Sequence, residues 1–172
     1  PDALNIVLDP GLAFGTGSHP TTHLCLAWLA DHVKPELTVL DYGCGSGILA
    51  IAAKKLGAAE VVGVDIDHQA IISSGYNAEQ NQVEASFYLP SKLPPDALQN
   101  GQADLVVANI LSSALTVLAP ALASACKCHG KIALSGILRE QTEQVSNVYA
   151  EWFNMETPVF MDSWVLLTGT KK

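Results

Sequence analysis

The sequence is short of charge, of cations, of aromatic rings and of cysteine, and each shortage removes a class of protein. Charged residues make up 15% of the 172 and aromatic residues 6%, while 49% are apolar. A disordered tail or a charge-rich coiled coil has the opposite balance. Nine Lys and Arg stand against 17 Asp and Glu, a net charge of −8. A grip on a phosphate backbone needs clustered cations, so no direct nucleic-acid binding is expected. The acidity suits a basic protein partner without naming one. Long apolar runs are missing too: Gly, Asp or Lys breaks each before the ~18 residues a membrane span needs. No signal peptide opens the chain, so no membrane association is expected. The four cysteines (Cys25, Cys44, Cys126, Cys128) are too few and too irregular for a disulfide framework. A reduced, cytoplasmic setting is the reading. Cys126, Cys128 and His129 spell C-K-C-H, but no second ligand pair stands at zinc spacing, so no metal is expected.

What is present is a recurring unit. At this length roughly 70% of the unfolded chain's surface can be buried, enough for one domain with a full core. Short β-branched runs occur at Thr38–Asp41, Val61–Asp65, Ser86–Leu89, Asp104–Asn109 and Lys131–Ser135. Their continuous apolar character is that of parallel strands covered on both faces. Helical patterns fit Ser46–Leu56, Asp67–Gln80, Ser112–Ala125 and Glu140–Trp152, with Ser46, Asp67 and Ser112 as expected caps. Pro20–Val33 reads as a further helix ahead of the first strand. Thr157–Met161 and Ser163–Thr170 have no helix between them, so they can pair only antiparallel. The expected fold is α/β: a doubly wound, mostly parallel seven-stranded sheet ending in an antiparallel C-terminal hairpin. Pro90–Gln102, with three prolines, reads as a connecting loop.

The most informative segment is T-V-L-D-Y-G-C-G-S-G, Thr38 to Gly47. A strand ends, three alternate glycines follow, and a helix begins. Glycines suit a sharp turn that a ligand must touch, and the helix-start amides then face the crevice. The second strand finishes V-G-V-D-I-D, which puts Asp65 twenty residues after Gly45. An acid there can accept hydrogen bonds from both hydroxyls of a ribose. A nicotinamide cofactor would need G-x-G-x-x-G with a small residue at position 48, where this chain has Ile48. Asp41, two residues before Gly43, would repel a pyrophosphate and favours a ligand with a cationic end. S-adenosylmethionine has such an end.

D-Y-G-C-G-S-G followed by V-G-V-D-I-D resembles the class I S-adenosylmethionine-dependent methyltransferases, whose fold is Rossmann-like. A-F-G-T-G-S-H-P-T-T (Ala13–Thr22), D-Y-G-C-G-S-G-I-L-A-I-A-A, G-V-D-I-D and V-A-N-I-L (Val107–Leu111) resemble one family among them, the ribosomal protein L11 methyltransferases. The likeness runs from about Leu8 to the end of the chain. It implies cofactor contacts at Thr22, Gly43, Asp65 and Asn109, to which the residue reading adds Gly45 and Asp41. It also implies the substrate: large-subunit ribosomal protein L11, methylated on lysine side chains and on its N-terminal amine. In that family a smaller N-terminal domain captures the substrate protein. The present sequence, opening at Pro1, is expected to be the catalytic domain alone.

Asn109 ends the fourth strand, beside the point where ligands bind in open α/β sheets. Its carbonyl oxygen can orient an amine so that the lone pair faces a methyl group, which makes Asn109 the expected catalytic residue. An ammonium of ordinary pKa near 10.4 must first lose a proton, which burial favours. No residue stands out as the base. His19 is a candidate, although a loop-structuring part suits it better, and Phe14 is placed to wall the site. Two rival readings stay open: another methyltransferase on the same fold, and a non-catalytic cofactor-binding module.

Overall fold

The computed structural model describes residues 5–8 and 19–172. The elements run α1 (Pro20–His32), β1 (Thr38–Tyr42), α2 (Ile48–Lys55), β2 (Glu60–Val64), α3 (His68–Gln80), β3 (Ser86–Tyr88), β4 (Ala103–Asn109), α4 (Ser112–Ser124), β5 (Cys126–Leu138), α5 (Thr142–Tyr149), β6 (Phe153–Met155), β7 (Val159–Met161) and β8 (Trp164–Lys171). They build one sheet of order β3-β2-β1-β4-β5-β8-β6, with β7 also on β8. β3, β2, β1, β4 and β5 are parallel, and β8 joins β5 antiparallel.

The sheet therefore has the seven positions expected, with the last one divided. β6 pairs residues 169–171 of β8 and β7 pairs residues 164–166. Two short strands share one edge, so the sheet counts eight strands.

Alternation along β1 divides the core. Leu40 belongs to the cluster that α4 and α5 cover, built on Leu115, Leu122, Val145 and Tyr149. Val39 belongs to the opposite cluster, against Leu24, Leu29, Leu49 and Ala53 of α1 and α2. Asp41 shares Val39's parity, so its carboxylate is carried under α2 with no exposure at all.

Three helix starts and one strand differ from the sequence reading. Asp67 caps α3 as expected, accepting from Gln69 N–H at 2.9 Å. Ser46 does not cap α2. The N-cap is Gly47, in the left-handed region at φ 85°, and the third helical amide, that of Ala50, is taken instead by Asp41 Oδ2 at 3.1 Å. Ser112 is the first residue of α4 rather than its cap, and its carbonyl accepts from Thr116 Oγ1. The helix expected from Glu140 starts at Thr142, because Gln141 Oε1 turns back to accept from Leu138 N–H and closes a short 3-10 turn first. Finally β5 begins at Cys126, so C-K-C-H lies on a strand. A register shift between Ala103 and Leu105, with His129 at φ 66°, accommodates the added residues.

Candidate functional site

The chain lays down β1, β2 and β3 to one side and β4 and β5 to the other, so the order reverses between β1 and β4. Ligands bind at the carboxyl ends of strands at such a switch point. The register brings the expected residues there. Tyr42 pairs with Val64 on one side and with Ala108 on the other. One step further along each strand, Asp65, Gly43 and Asn109 stand abreast. At the usual strand spacing, the acid and the amide have backbones about 10 Å apart with the glycine loop between them.

The loop is held from below and from the side. Gly43 and Cys44 amides both donate to Val64 O. Gly45 N–H donates to Asp65 Oδ2 at 2.9 Å, and Asp67 N–H to Asp65 Oδ1 at 2.9 Å. The two residues that the sequence links through a ligand are thus already bonded to each other. Each carboxylate oxygen keeps a second lone pair for a hydroxyl. At Gly43, φ is +79° and an added Cβ would collide with Ile110. Glycine is required there twice over, by backbone conformation and by the closeness of the chain beyond β4.

The other side of the loop rests on residues that the sequence reading did not single out. Ser74 Oγ donates to Gly45 O at 2.7 Å, and Asn77 Nδ2 to Ser46 O at 2.9 Å. Both sit on α3 and are fully buried. The available signal was a pair of polar residues three apart on the inward face of a helix.

Asp41 is the most deeply buried acid of the group. Its Oδ2 accepts from Ala50, while Oδ1 is buried with no hydrogen-bond partner among the described residues. Burial raises its carboxyl from 3.8 to about 7; the Ala50 amide opposes this and the Asp65 charge adds to it. The groups facing it, Cys25 of α1 and Cys44 of the loop, are thiols that burial pushes up as well. A buried acid lacking one partner fits a cationic ligand group and rejects a phosphate.

Asn109, half-buried at the end of β4, donates from Nδ2 to Thr22 Oγ1 at 3.4 Å, across 87 residues of sequence. Two of the expected site residues are therefore in contact. His19 takes the structural part: it caps α1, its Nδ1 accepting from Thr21 N–H at 3.2 Å, and its ring meets Trp164 edge-on at 4.9 Å. Phe14 lies outside the described residues. Beyond Asn109, the starts of α4 and α5 enclose an open hollow of about 220 Å³ lined by Ser112, Ser113, Thr116, Gln141, Gln144 and Val145. Apart from Val145, its lining is polar and uncharged.

Against this geometry the comparisons agree. The family model described as Ribosomal protein L11 methyltransferase (PrmA) matches residues 1–172. A "Ribosomal protein L11 methyltransferase" of Methylobacillus flagellatus is 76% identical over 172 residues, covering 100% of this chain and 57% of that protein. One from Chromobacterium violaceum is 56% identical over 172 residues, again 100% of this chain and 56% of its own length. The chain thus spans a little over half the length of the curated relatives it matches. The crystal structure of a ribosomal protein L11 methylase from Lactobacillus delbrueckii subsp. bulgaricus superposes with a TM-score of 0.84 at 37% identity, covering 96% of this chain and 84% of that one. On sequence and on fold, this chain belongs to the ribosomal protein L11 methyltransferase family.

Proposed function

We propose that this chain is the methyl-transferring domain of an enzyme that methylates amino groups of ribosomal protein L11, on lysine side chains and on the N-terminal amine, with S-adenosylmethionine as donor. The observation that carries the cofactor reading is the bond from Gly45 N–H to Asp65 Oδ2. It makes the ribose-facing acid and the glycine loop one preorganised unit. Family membership supports methyl transfer and the protein substrate. A ribosomal substrate and four free cysteines accord with a cytoplasmic setting.

Bound S-adenosylmethionine supplies an electrophilic methyl on a cationic sulfur that takes back the bonding electron pair. The chain's residues bind and orient. Asp65 receives the ribose hydroxyls, Gly43 and Gly45 let the backbone approach, and Asp41 offers a counter-charge to the ammonium of the methionine end. Asn109 Oδ1 accepts an N–H of the incoming amine, which turns its lone pair toward the methyl. Positioning of this kind supplies much of the rate in a reaction whose leaving group is built into the cofactor. The hollow between α4 and α5 offers hydroxyls and amides to the polypeptide around the target amine. Capture of the ribosomal protein belongs to the part of the relatives that this chain does not span.

The test uses full-length enzyme, labelled cofactor and unmethylated L11. Asp65→Ala is expected to weaken cofactor binding roughly 10- to 100-fold, since hydrogen bonds to an ionised acceptor are lost. Equal calorimetric affinities would overturn the ribose assignment, and no label on L11 with wild type would overturn the substrate. The domain alone should bind cofactor equally well. It should methylate L11 far more slowly, because the tether's effective concentration, on the order of mM, is gone.

A further inference from the structure

We propose that the open edge of β7 seats an extended segment of the protein substrate as an added strand and leads its amine along the strand ends to Asn109. The inference rests on the amine-methylating reading above and assigns the surface of this chain that the L11 polypeptide touches.

The hairpin fixes which backbone groups are free. β7 pairs with β8, and among the described residues nothing pairs with its other edge. Met161 faces Trp164 across a two-residue turn. A closing pair of that kind exchanges both its hydrogen bonds, so the next pair, Phe160 and Val165, exchanges none. The N–H and C=O of Phe160 therefore point away from the sheet, where an extended peptide can take them. Pro158, two residues earlier, has no N–H to offer, so the donors of this edge start at Phe160.

The side chains tell the same story. Val159, Phe160 and Met161 are 49%, 44% and 39% exposed. Edge strands are usually blunted with charge, and this one carries none. Phe160 is held in place by Arg139, whose guanidinium lies 4.4 Å from the ring centroid and whose Nε donates to Asp162 O at 2.6 Å. Glu140, Glu156 and Asp162 stand exposed around the edge, and the second cation nearby, Lys131, is engaged by Glu156 at 3.8 Å. An acidic surround suits a lysine-bearing segment better than a second copy of a chain whose net charge is −8.

Position ties the edge to the chemistry. Asn109 pairs with Ser135; Leu134, just before it, faces Leu167, so the row continues to Leu166 and from there to Val159. β7 thus lies in the row of Asn109, three strand spacings or about 15 Å away. It lies on the side opposite Gly43 and Asp65. A strand added outside it is about 19 Å from Asn109, a span of about six extended residues. An amine arriving from there does not cross the cofactor's half of the crevice. Capture by the rest of the enzyme brings the protein near, and the edge seats the segment that carries the amine.

The experiment is amide hydrogen exchange in full-length enzyme with demethylated cofactor, resolved by NMR, alone and with unmethylated L11. The Phe160 amide should exchange freely in the enzyme alone and at least about tenfold more slowly with L11, the scale of one backbone hydrogen bond. The Val159 and Met161 amides, bonded to β8, should be slow in both. A Phe160 amide unchanged by L11 would overturn the inference. So would one already slow in the enzyme alone, which would mean that a second copy or the enzyme's own remainder covers the edge. Rates give a second reading. Phe160→Ala keeps the N–H, while Phe160→Pro removes it and spares the bonds to β8. The specificity constant for L11 should be roughly tenfold lower in the Pro variant than in the Ala variant, with calorimetric cofactor affinity within about twofold of wild type in both. Equal constants would count against the added strand. If Phe160→Pro does not melt cooperatively, the exchange measurement on wild type decides. Normal transfer to L11 with an unprotected Phe160 removes this inference alone; no transfer by wild type removes the proposed function with it.

Discussion

The two halves of the sheet are built on opposite terms. Around β1, β2 and the start of β4, polar groups are buried and glycines sit at positive φ. Thr22, Asp41, Ser46, Ser74 and Asn77 are each less than 3% exposed, and Gly43, Gly45 and Gly47 all occupy the left-handed region. Around β5, β8 and α5 the interior is almost wholly apolar, with Ile132, Leu134, Ile137, Val145, Phe153 and Leu167 at 0–1% exposure. Its one large polar side chain, Tyr149, is satisfied by donating to Leu115 O at 2.6 Å. One half spends stability on a site and the other supplies it. The difference teaches where substitutions will tell as activity and where as stability.

The largest effect should fall in the apolar half. Tyr149→Ala empties a fully buried ring position that packs on Phe153 and removes the hydroxyl that donates to Leu115 O. A loss of roughly 3–5 kcal/mol is expected in denaturant unfolding, with cofactor affinity of the folded protein unchanged. A variant of normal stability and weakened binding would reverse the comparison.

A smaller effect, and one with a pH signature, belongs to Asp41. Its folded pKa, about 7, lies above the ordinary 3.8, so between those values the folded state holds a proton that the unfolded chain has lost. Stability in the absence of ligand should therefore fall as pH rises through that window and level off above it. Asp41→Asn keeps an oxygen for the Ala50 amide and should flatten the slope between pH 4 and 7, checked by melting at several pH values. If the cofactor's ammonium sits by Asp41, as the proposed function has it, it would pull the carboxyl back down. Cofactor binding near pH 6.5 should then release a proton in the wild type and none in Asp41→Asn, measured by calorimetry in buffers of different ionisation heat. An identical slope in both proteins would take Asp41 out of the contrast.

The smallest effect is a control at the opposite end of the strands. Asp104 is lowered on balance: burial raises it, while the Thr38 amide and hydroxyl and the Lys127 ammonium, 3.4 Å away, prevail. The pair is partly exposed, so Lys127→Ala should cost under about 1 kcal/mol and shrink further in salt. A larger loss by thermal melting would mean that polar contacts stabilise this region as well.

How much of this was legible differs by kind of signal. The element order, the parallel sheet and the antiparallel end follow from short apolar runs alternating with helical patterns, and they stand. Element ends were less legible. Ser46 and Ser112 carry good capping side chains, yet α2 takes its cap from Asp41 on a strand and α4 begins at Ser112 itself. Local propensity does not register an acceptor that arrives from another strand. The division of the last edge into β6 and β7 was equally invisible, since each piece is three residues long and depends on β8 for pairing.

For the site, sequence alone determined the residue types and their order along the chain. Glycines at alternate positions after a strand, an acid twenty residues on, and an asparagine at a strand end are local facts that need no partner to be read. Tertiary structure decided what each is bonded to. It joined Asp65 to Gly45, put Ser74 and Asn77 beneath the loop, left one oxygen of Asp41 without a partner among the described residues and brought Thr22 to Asn109. The physical reason is of one kind. A hydrogen bond is decided within about 3 Å in space, and only the pairing of the strands and the packing of α1 and α3 against their ends bring residues 20 to 87 apart in sequence within that reach.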